Sequence, residues 1–170
     1  MKCSKFRDKR IAFGSRRLLR AYRQMLNPKP HPLNPIPQMT VFSKIVAGEI
    51  PAHVVAETVE YLAFLDVQPL TAGHVLVIPK IETDYIFDMD EDLYVGLWMF
   101  AKIVAKGVKI AFPCKKVGVS VIGLEVPHAH IHLIPMNSVS DMNFSKEKLK
   151  PTHEELAEAA EKIKQALLTV

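Results

Sequence analysis

The chain of 170 residues predicts an α+β fold, a five-stranded antiparallel sheet with helices. Three observations carry that expectation. Five short runs rich in β-branched and aromatic residues follow Met39, bounded by Pro, Gly or Asp. The stretch 90–112 instead repeats apolar residues at helical spacing. Near the end, "PTHEEL" announces a second helix with a capping box, Thr152 as N-cap and Glu155 three residues on. Hydrophobic residues make up 49% of the chain, enough for one domain with a real core. No apolar run approaches the roughly 20 residues that span a bilayer, so no membrane partner is expected.

Residues 1–38 stand apart from this pattern. They hold ten Lys or Arg against one acid, Asp8, a net charge of +9, whereas residues 39–170 hold twelve against seventeen, a net charge of −5. The overall +4 therefore describes the first segment, and nucleic acid is not an expected partner of the domain. "RRLLRAYRQML" (16–26) has the look of a helix. "NPKPHPLNPIPQ" (27–38) has five prolines in twelve residues, which lack the amide donor and disfavour helix at the preceding residue, so it reads as an extended linker. A targeting leader, a basic arm for an anionic surface, and an extension without function of its own all fit such a segment. The last is the expectation, with the domain boundary at Met39 and the domain over 39–170.

The elements follow in order from Met39. "FSKIVAGEI" reads as a short helix stopped near Gly48 and Pro51. "HVVAET" and "YLAFLDV" read as strands joined by a short turn, and "GHVLVIP" as a third strand ending at a proline. Asp88, Asp90, Glu91 and Asp92 place acids where a helix N-terminus favours them, and that helix runs to about Phe112. Leu93, Leu97, Phe100, Val104 and Val108 form its core stripe. Trp98, Met99 and Ile103 give it a second apolar face, so cover is expected from its own sheet and from another subunit. "VGVSVIGLEV" is a strand and turn, and "HAHIHLIP" the last strand. Residues 136–151 are polar and irregular. The final helix continues through Leu156, Ile163 and Leu167, with His153 solvated in its first turn.

"HAHIHLIP" also carries chemistry. On a strand, side chains alternate faces, so His128, His130 and His132 share one face while Ala129, Ile131 and Leu133 enter a core. Imidazole titrates near neutrality, so such a row can hold one ring as nucleophile and its neighbours as donors to phosphate oxygens. It can also offer ligands to a transition metal, with Glu125 as a further ligand. Cys3 and Cys114 match no zinc-ligand spacing and no disulfide framework, which favours a reducing, cytoplasmic setting.

"HAHIHLI" resembles the signature of the histidine triad family, His-φ-His-φ-His-φ-φ with φ apolar, at all seven positions. "VFSKIVAGEIPAHVVAE" is similar to that family's opening segment. "YLAFLDVQPLTAGHVLVIPK" is similar to its central strand pair, and the resemblance covers about residues 39–136. It implies that His130 attacks the α-phosphorus of a purine nucleotide conjugate and is transiently nucleotidylated. It implies that His128 and His132 orient that ring and bind phosphate oxygens, and that His74 is a fourth active-site histidine. Asp66 would accept the ribose hydroxyls, and Phe42, Ile45, Ile50, Phe64 and Val67 would wall the base. Read from its own surroundings, Asp66 is equally a turn-capping aspartate, and His74 a satisfied buried histidine. The resemblance further implies a homodimer, in which the 90–112 helix and a central strand join two sheets into one larger sheet, and a nucleotide hydrolase or transferase that needs no metal or cofactor. A nucleotide-binding regulatory module with little turnover, and a metal-dependent enzyme using the triad as ligands, are the alternatives. Before the triad the chain departs from the family. "VSVIGLEVPHAH" contains no Asn and has Leu124 where a Gln often stands, which leaves the phosphate-side contacts and leaving group unassigned. Ser120 is a candidate replacement.

Overall fold

The structure, a computed structural model, describes residues 39–170. The basic segment and the helix expected at 16–26 lie outside the described residues. The first helix, α1 (Val41–Val46), begins where the Thr40 side chain accepts the Ser43 amide at 3.0 Å, a standard N-cap. It stops before Gly48, whose φ of +76° suits a residue without Cβ. Strands β1 (Val54–Glu57), β2 (Tyr61–Leu65) and β3 (Val75–Pro79) follow as an antiparallel meander. Between β2 and β3 the chain turns at Gly73, with φ of +81°. A Cβ there would run into the Phe112 ring, so this turn requires glycine twice over.

Helix α2 (Glu91–Ala111), strands β4 (Lys116–Ser120) and β5 (Ile131–Met136), and helix α3 (His153–Leu167) complete the domain. The sheet order is β1-β2-β3-β5-β4, every pairing antiparallel. The expected fold class is therefore the observed one. Helix α2 runs from 91 to 111 with the acids Glu91 and Asp92 in its first turn. The expected capping box of α3 is present, with Thr152 Oγ1 accepting the Glu155 amide and Glu155 accepting the Thr152 amide.

Both helices cover one face of the sheet. Leu97, Phe100, Val104 and Val108 of α2 and Ile163 of α3 meet Ala63, Leu65, Val75, Val77, Ile131 and Leu133 in the main core. A Cβ on Gly107 would lie 2.6 Å from Leu167 Cγ, so glycine here lets α2 and α3 approach closely. A smaller cluster, Phe42, Leu62, Phe64, Leu76 and Ile78, lies on the opposite face under α1. Because β2 and β3 are covered on both sides, all five residues of each are buried. Beside α1 the second face stays open, and the histidines lie there. Among the described residues no helix is long and apolar enough to cross a membrane.

One expectation needs refinement. The last strand was expected to start at His128, but β5 begins at Ile131. The ladder with β3 ends at Val77 opposite Ile131. Beyond it, the Ala129 amide donates to the Thr83 carbonyl at 2.7 Å, and the His128 ring takes the Pro79 carbonyl at 2.8 Å. The partners that a longer ladder needs are thus already engaged. The alternation survives this, since Ala129 still joins Ile131 and Leu133 in the main core.

Candidate functional site

A cavity of about 420 Å³ opens on the histidine face. Phe42 and Ile45 of α1, Ile50 after it, and Phe64 of β2 form its apolar side. Asp66 and Val67 lie just past the end of β2, and His74 just before β3. His130 and His132 supply the floor, and Phe144 and Lys148 close the far side. Nine of the ten residues expected from the sequence line this one cavity; the tenth, His128, lies behind it. Val67 is the most open of them at 62% exposure. A cleft of similar size between the 66–74 turn and α3 shares Asp66 and His74 but contains none of the triad.

Each imidazole has a hydrogen-bond partner that fixes its proton. A carbonyl can only accept. His128 therefore donates from Nε2 to the Pro79 carbonyl at 2.8 Å, which leaves Nδ1 to accept. The Thr40 hydroxyl is 3.1 Å from Nδ1 and that of Ser43 3.4 Å. The Ser43 hydroxyl donates to the Glu82 carboxylate, so the Thr40 hydroxyl donates to His128. The Glu82 carboxylate also accepts the Thr40 amide at 3.3 Å, and its hydrogen bond from Ser43 holds it below its ordinary range. Burial pushes the His128 ring down, which keeps it neutral. With both nitrogens engaged and 0% exposure, His128 presents nothing to the cavity.

His130 donates from Nδ1 to the His128 carbonyl at 2.7 Å. In the neutral ring the lone pair is then on Nε2, and the ring lies edge-on to Phe42 with centroids 5.1 Å apart. His132 is fixed by a relay. The Leu70 amide donates to His74 Nδ1 at 3.2 Å, so the proton of neutral His74 sits on Nε2. That Nε2 lies 3.0 Å from His132 Nδ1, which accepts, so the proton of His132 is on Nε2. Burial is the main cause that pushes His74 and His132 each down to about 3, so both are neutral near pH 7. One row of rings thus ends in a lone pair on His130 and an N–H donor on His132. Their centroids are 4.8 Å apart.

Asp66 caps its own turn, accepting the Gln68 amide at 2.9 Å through Oδ1. Its other oxygen is 3.4 Å from His74 Nδ1, a contact weaker than the Leu70 bond to the same atom. The carboxylate is partly exposed to the cavity. Asp66, His74 and His132 offer atoms within 4.8 Å of one another, the one group among the described residues close enough to share a metal. Their nitrogens, however, face each other and the Leu70 amide. A cation there would have to displace those bonds, so the donor set is a poor fit for one.

Sequence reasoning missed Thr40, Ser43 and Glu82 behind His128, and Phe144 and Lys148 in front of His132. Thr40 had one signal, its N-cap position before α1. Phe144 packs edge-on against His132 with centroids 5.0 Å apart, though its segment reads only as polar and irregular. Ser120 stands opposite His132 in the β4–β5 register but does not line the cavity.

An antiparallel sheet backed by two helices, with one imidazole held by others over an open cavity, defines a class of small α+β proteins built around a histidine row. Within it, the chain belongs to the histidine triad (HIT) family, since the HIT domain model matches residues 47–139. An uncharacterized HIT-like protein of Methanocaldococcus jannaschii is 41% identical over 107 residues, which cover 57% of this chain and 78% of that one. The adenosine 5'-monophosphoramidase of Saccharomyces cerevisiae is 35% identical over 96 residues, 56% of this chain and 61% of the yeast enzyme. Among solved structures, a Hit-like protein of Bartonella henselae superposes with a TM-score of 0.67 at 30% identity, covering 75% of this chain and 95% of that one.

Proposed function

We propose that the protein is a nucleotide hydrolase or transferase acting at the α-phosphate of purine nucleotide conjugates through a nucleotidyl-His130 intermediate. The observation that carries this reading is the His130 tautomer. With Nδ1–H held by the His128 carbonyl at 2.7 Å, Nε2 is a lone pair on the cavity floor. It attacks phosphorus, the bond to the leaving group breaks, and the electron pair goes with the leaving group. Water then attacks the same phosphorus and loses a proton to solvent. The P–N bond breaks and its pair returns to Nε2, so one hard step becomes two.

The other residues fall into place around that ring. The Nε2–H of His132 donates to a phosphate oxygen and stabilises charge as it develops. His74 fixes His132, and His128 fixes the backbone carbonyl that orients His130. Asp66 accepts the ribose hydroxyls, while Phe42, Ile45, Ile50, Phe64 and Val67 enclose the base. The relationship to a yeast adenosine 5'-monophosphoramidase supports an adenosine nucleotide as substrate. We also propose that residues 39–170 are the active unit and that two copies pair through the outer face of α2.

The test is turnover of an adenosine phosphoramidate by the wild type, His130→Ala and Asp66→Ala. Loss of the nucleophile should lower kcat by roughly four to six orders of magnitude. Asp66→Ala should mainly raise KM. Quenched wild-type reactions should hold a nucleotidyl adduct, stable in base and labile in acid, within the 128–132 segment. Near-wild-type turnover by His130→Ala refutes the assignment. Tight nucleotide binding without turnover by the wild type would make the protein a regulatory binding module instead.

A further inference from the structure

The phosphate side of the cavity poses a problem of charge. The loop ahead of the triad contributes Ile122, Gly123, Leu124, Glu125 and Val126. It brings no cation and no side-chain amide, and its one charge has the sign of the phosphate. His132 is a neutral ring, and His130 attacks phosphorus only as one. An α-phosphate bound here would meet one N–H donor and no positive charge from these elements.

The segment after β5 supplies the missing charge. "FSKEKLK" (144–150) carries three lysines in alternation. Lys146 and Lys150 are exposed, while Lys148 is half-buried and lines the cavity beside Asp66, His74 and His132. The segment is pinned on both sides of Lys148. Phe144 rests its edge on His132 at 5.0 Å, and the Ser145 amide donates to Asn143 Oδ1 at 3.0 Å. The Leu149 amide donates to the Pro69 carbonyl at 2.9 Å. Lys148 is paired with no carboxylate among the described residues, although Asp66 shares the cavity. Its charge reaches the rings, being the largest electrostatic influence on His74 after burial. A half-buried lysine without a counter-ion, lining a cavity read as a site for an anion, is a ready phosphate ligand.

We propose that Lys148 is the cationic subsite for the leaving group, and that it directs the enzyme to nucleotides whose α-phosphate is joined to a further phosphate rather than to an amine. This rests on the α-phosphate reading above. When Nε2 of His130 attacks, the phosphoanhydride P–O bond breaks and its electron pair stays on the departing oxygen. That phosphate leaves as an anion, which an ammonium stabilises. An amine takes up a proton from water as its P–N bond breaks and leaves neutral, so it gains nothing from Lys148, and a cationic one is repelled.

The experiment compares the wild type, Lys148→Met, Lys148→Arg and Lys146→Met on two adenosine substrates. One is a dinucleoside polyphosphate, the other a phosphoramidate with a neutral amine. The ratio of kcat/KM for the first to that for the second should fall about 10- to 100-fold in Lys148→Met, the worth of one charge-assisted hydrogen bond. Lys148→Arg should retain most of the ratio, and Lys146→Met all of it. Calorimetry of ADP and AMP gives a reading independent of turnover. Wild type should bind ADP more tightly than AMP, and Lys148→Met should bring the two close to parity. An unchanged kcat/KM ratio and an unchanged ADP-to-AMP ratio overturn the proposal, as does an equal loss on both substrates. If neither substrate turns over but the ADP preference depends on Lys148, the catalytic reading fails and the subsite stands. If no nucleotide binds, both fall.

Discussion

His130 does its work through a proton placed elsewhere. The residue's type was legible in the sequence because a period of two puts alternate side chains on one face. Its tautomer was not, because the deciding acceptor is a backbone carbonyl. The same holds behind His128, where Glu82 lies 42 residues from Thr40 in the chain, and no local pattern joins them. Burial of His74 and His132 has a consequence for stability. Their rings ordinarily titrate near 6.5 and are held down to about 3 in the folded protein. Above about pH 6.5 both states carry neutral rings and the full stability is present. Below it the unfolded chain takes up protons that the folded one refuses, so stability falls progressively as pH drops towards about 3. Denaturant midpoints measured from pH 7.5 to 4 should decline, and His74→Gln should flatten the decline. A midpoint independent of pH, or one that rises on acidification, would contradict the neutral relay.

At the scale of elements, the helices and strands were largely readable because caps, turns and periodicity agree with one another. Strand β5 is the exception. Its sequence alternates from His128 onward, yet the ladder starts at Ile131 because a side chain and a loop carbonyl occupy the groups needed before that. The segment 143–150 was the other blind spot. It forms neither helix nor strand, so no period reveals that Phe144 and Lys148 turn inward. The final helix shows the opposite case. Thr152 and Glu155 form a reciprocal cap, and α3 then buries Leu156, Ala160, Ile163 and Ala166. Thr152→Ala should cost about 1 kcal/mol, read as a lower denaturant midpoint with unchanged slope. A midpoint equal to wild type would mean that packing on α2 and β1 alone sets this helix, and that the cap adds nothing.

For the whole molecule, the open question is what covers the outer face of α2. Val95, Met99, Ile103 and Ile110 recur along that face at helical spacing and are 51%, 54%, 49% and 54% exposed. Trp98, expected on this face, packs instead against the main core and Tyr94, whose ring centroid is 6.3 Å from its own. The sheet is already on the helix's other side, so it cannot cover this face. A second copy can, with the same stripe meeting itself across a two-fold axis. Removing the exposed half of each such side chain from water is worth on the order of 1 kcal/mol, and four per subunit make a useful core for an interface. Light scattering at micromolar concentration should give the mass of two chains. Met99→Lys combined with Ile103→Glu should shift it to one, with the circular dichroism of a folded domain, because both side chains are accessible in the single chain. A chain beginning at Met39 should pair as the full one does, since the stripe lies within 39–170. A monomeric wild type would sink the pairing, and a dimer that survives the double change would move the interface to another face.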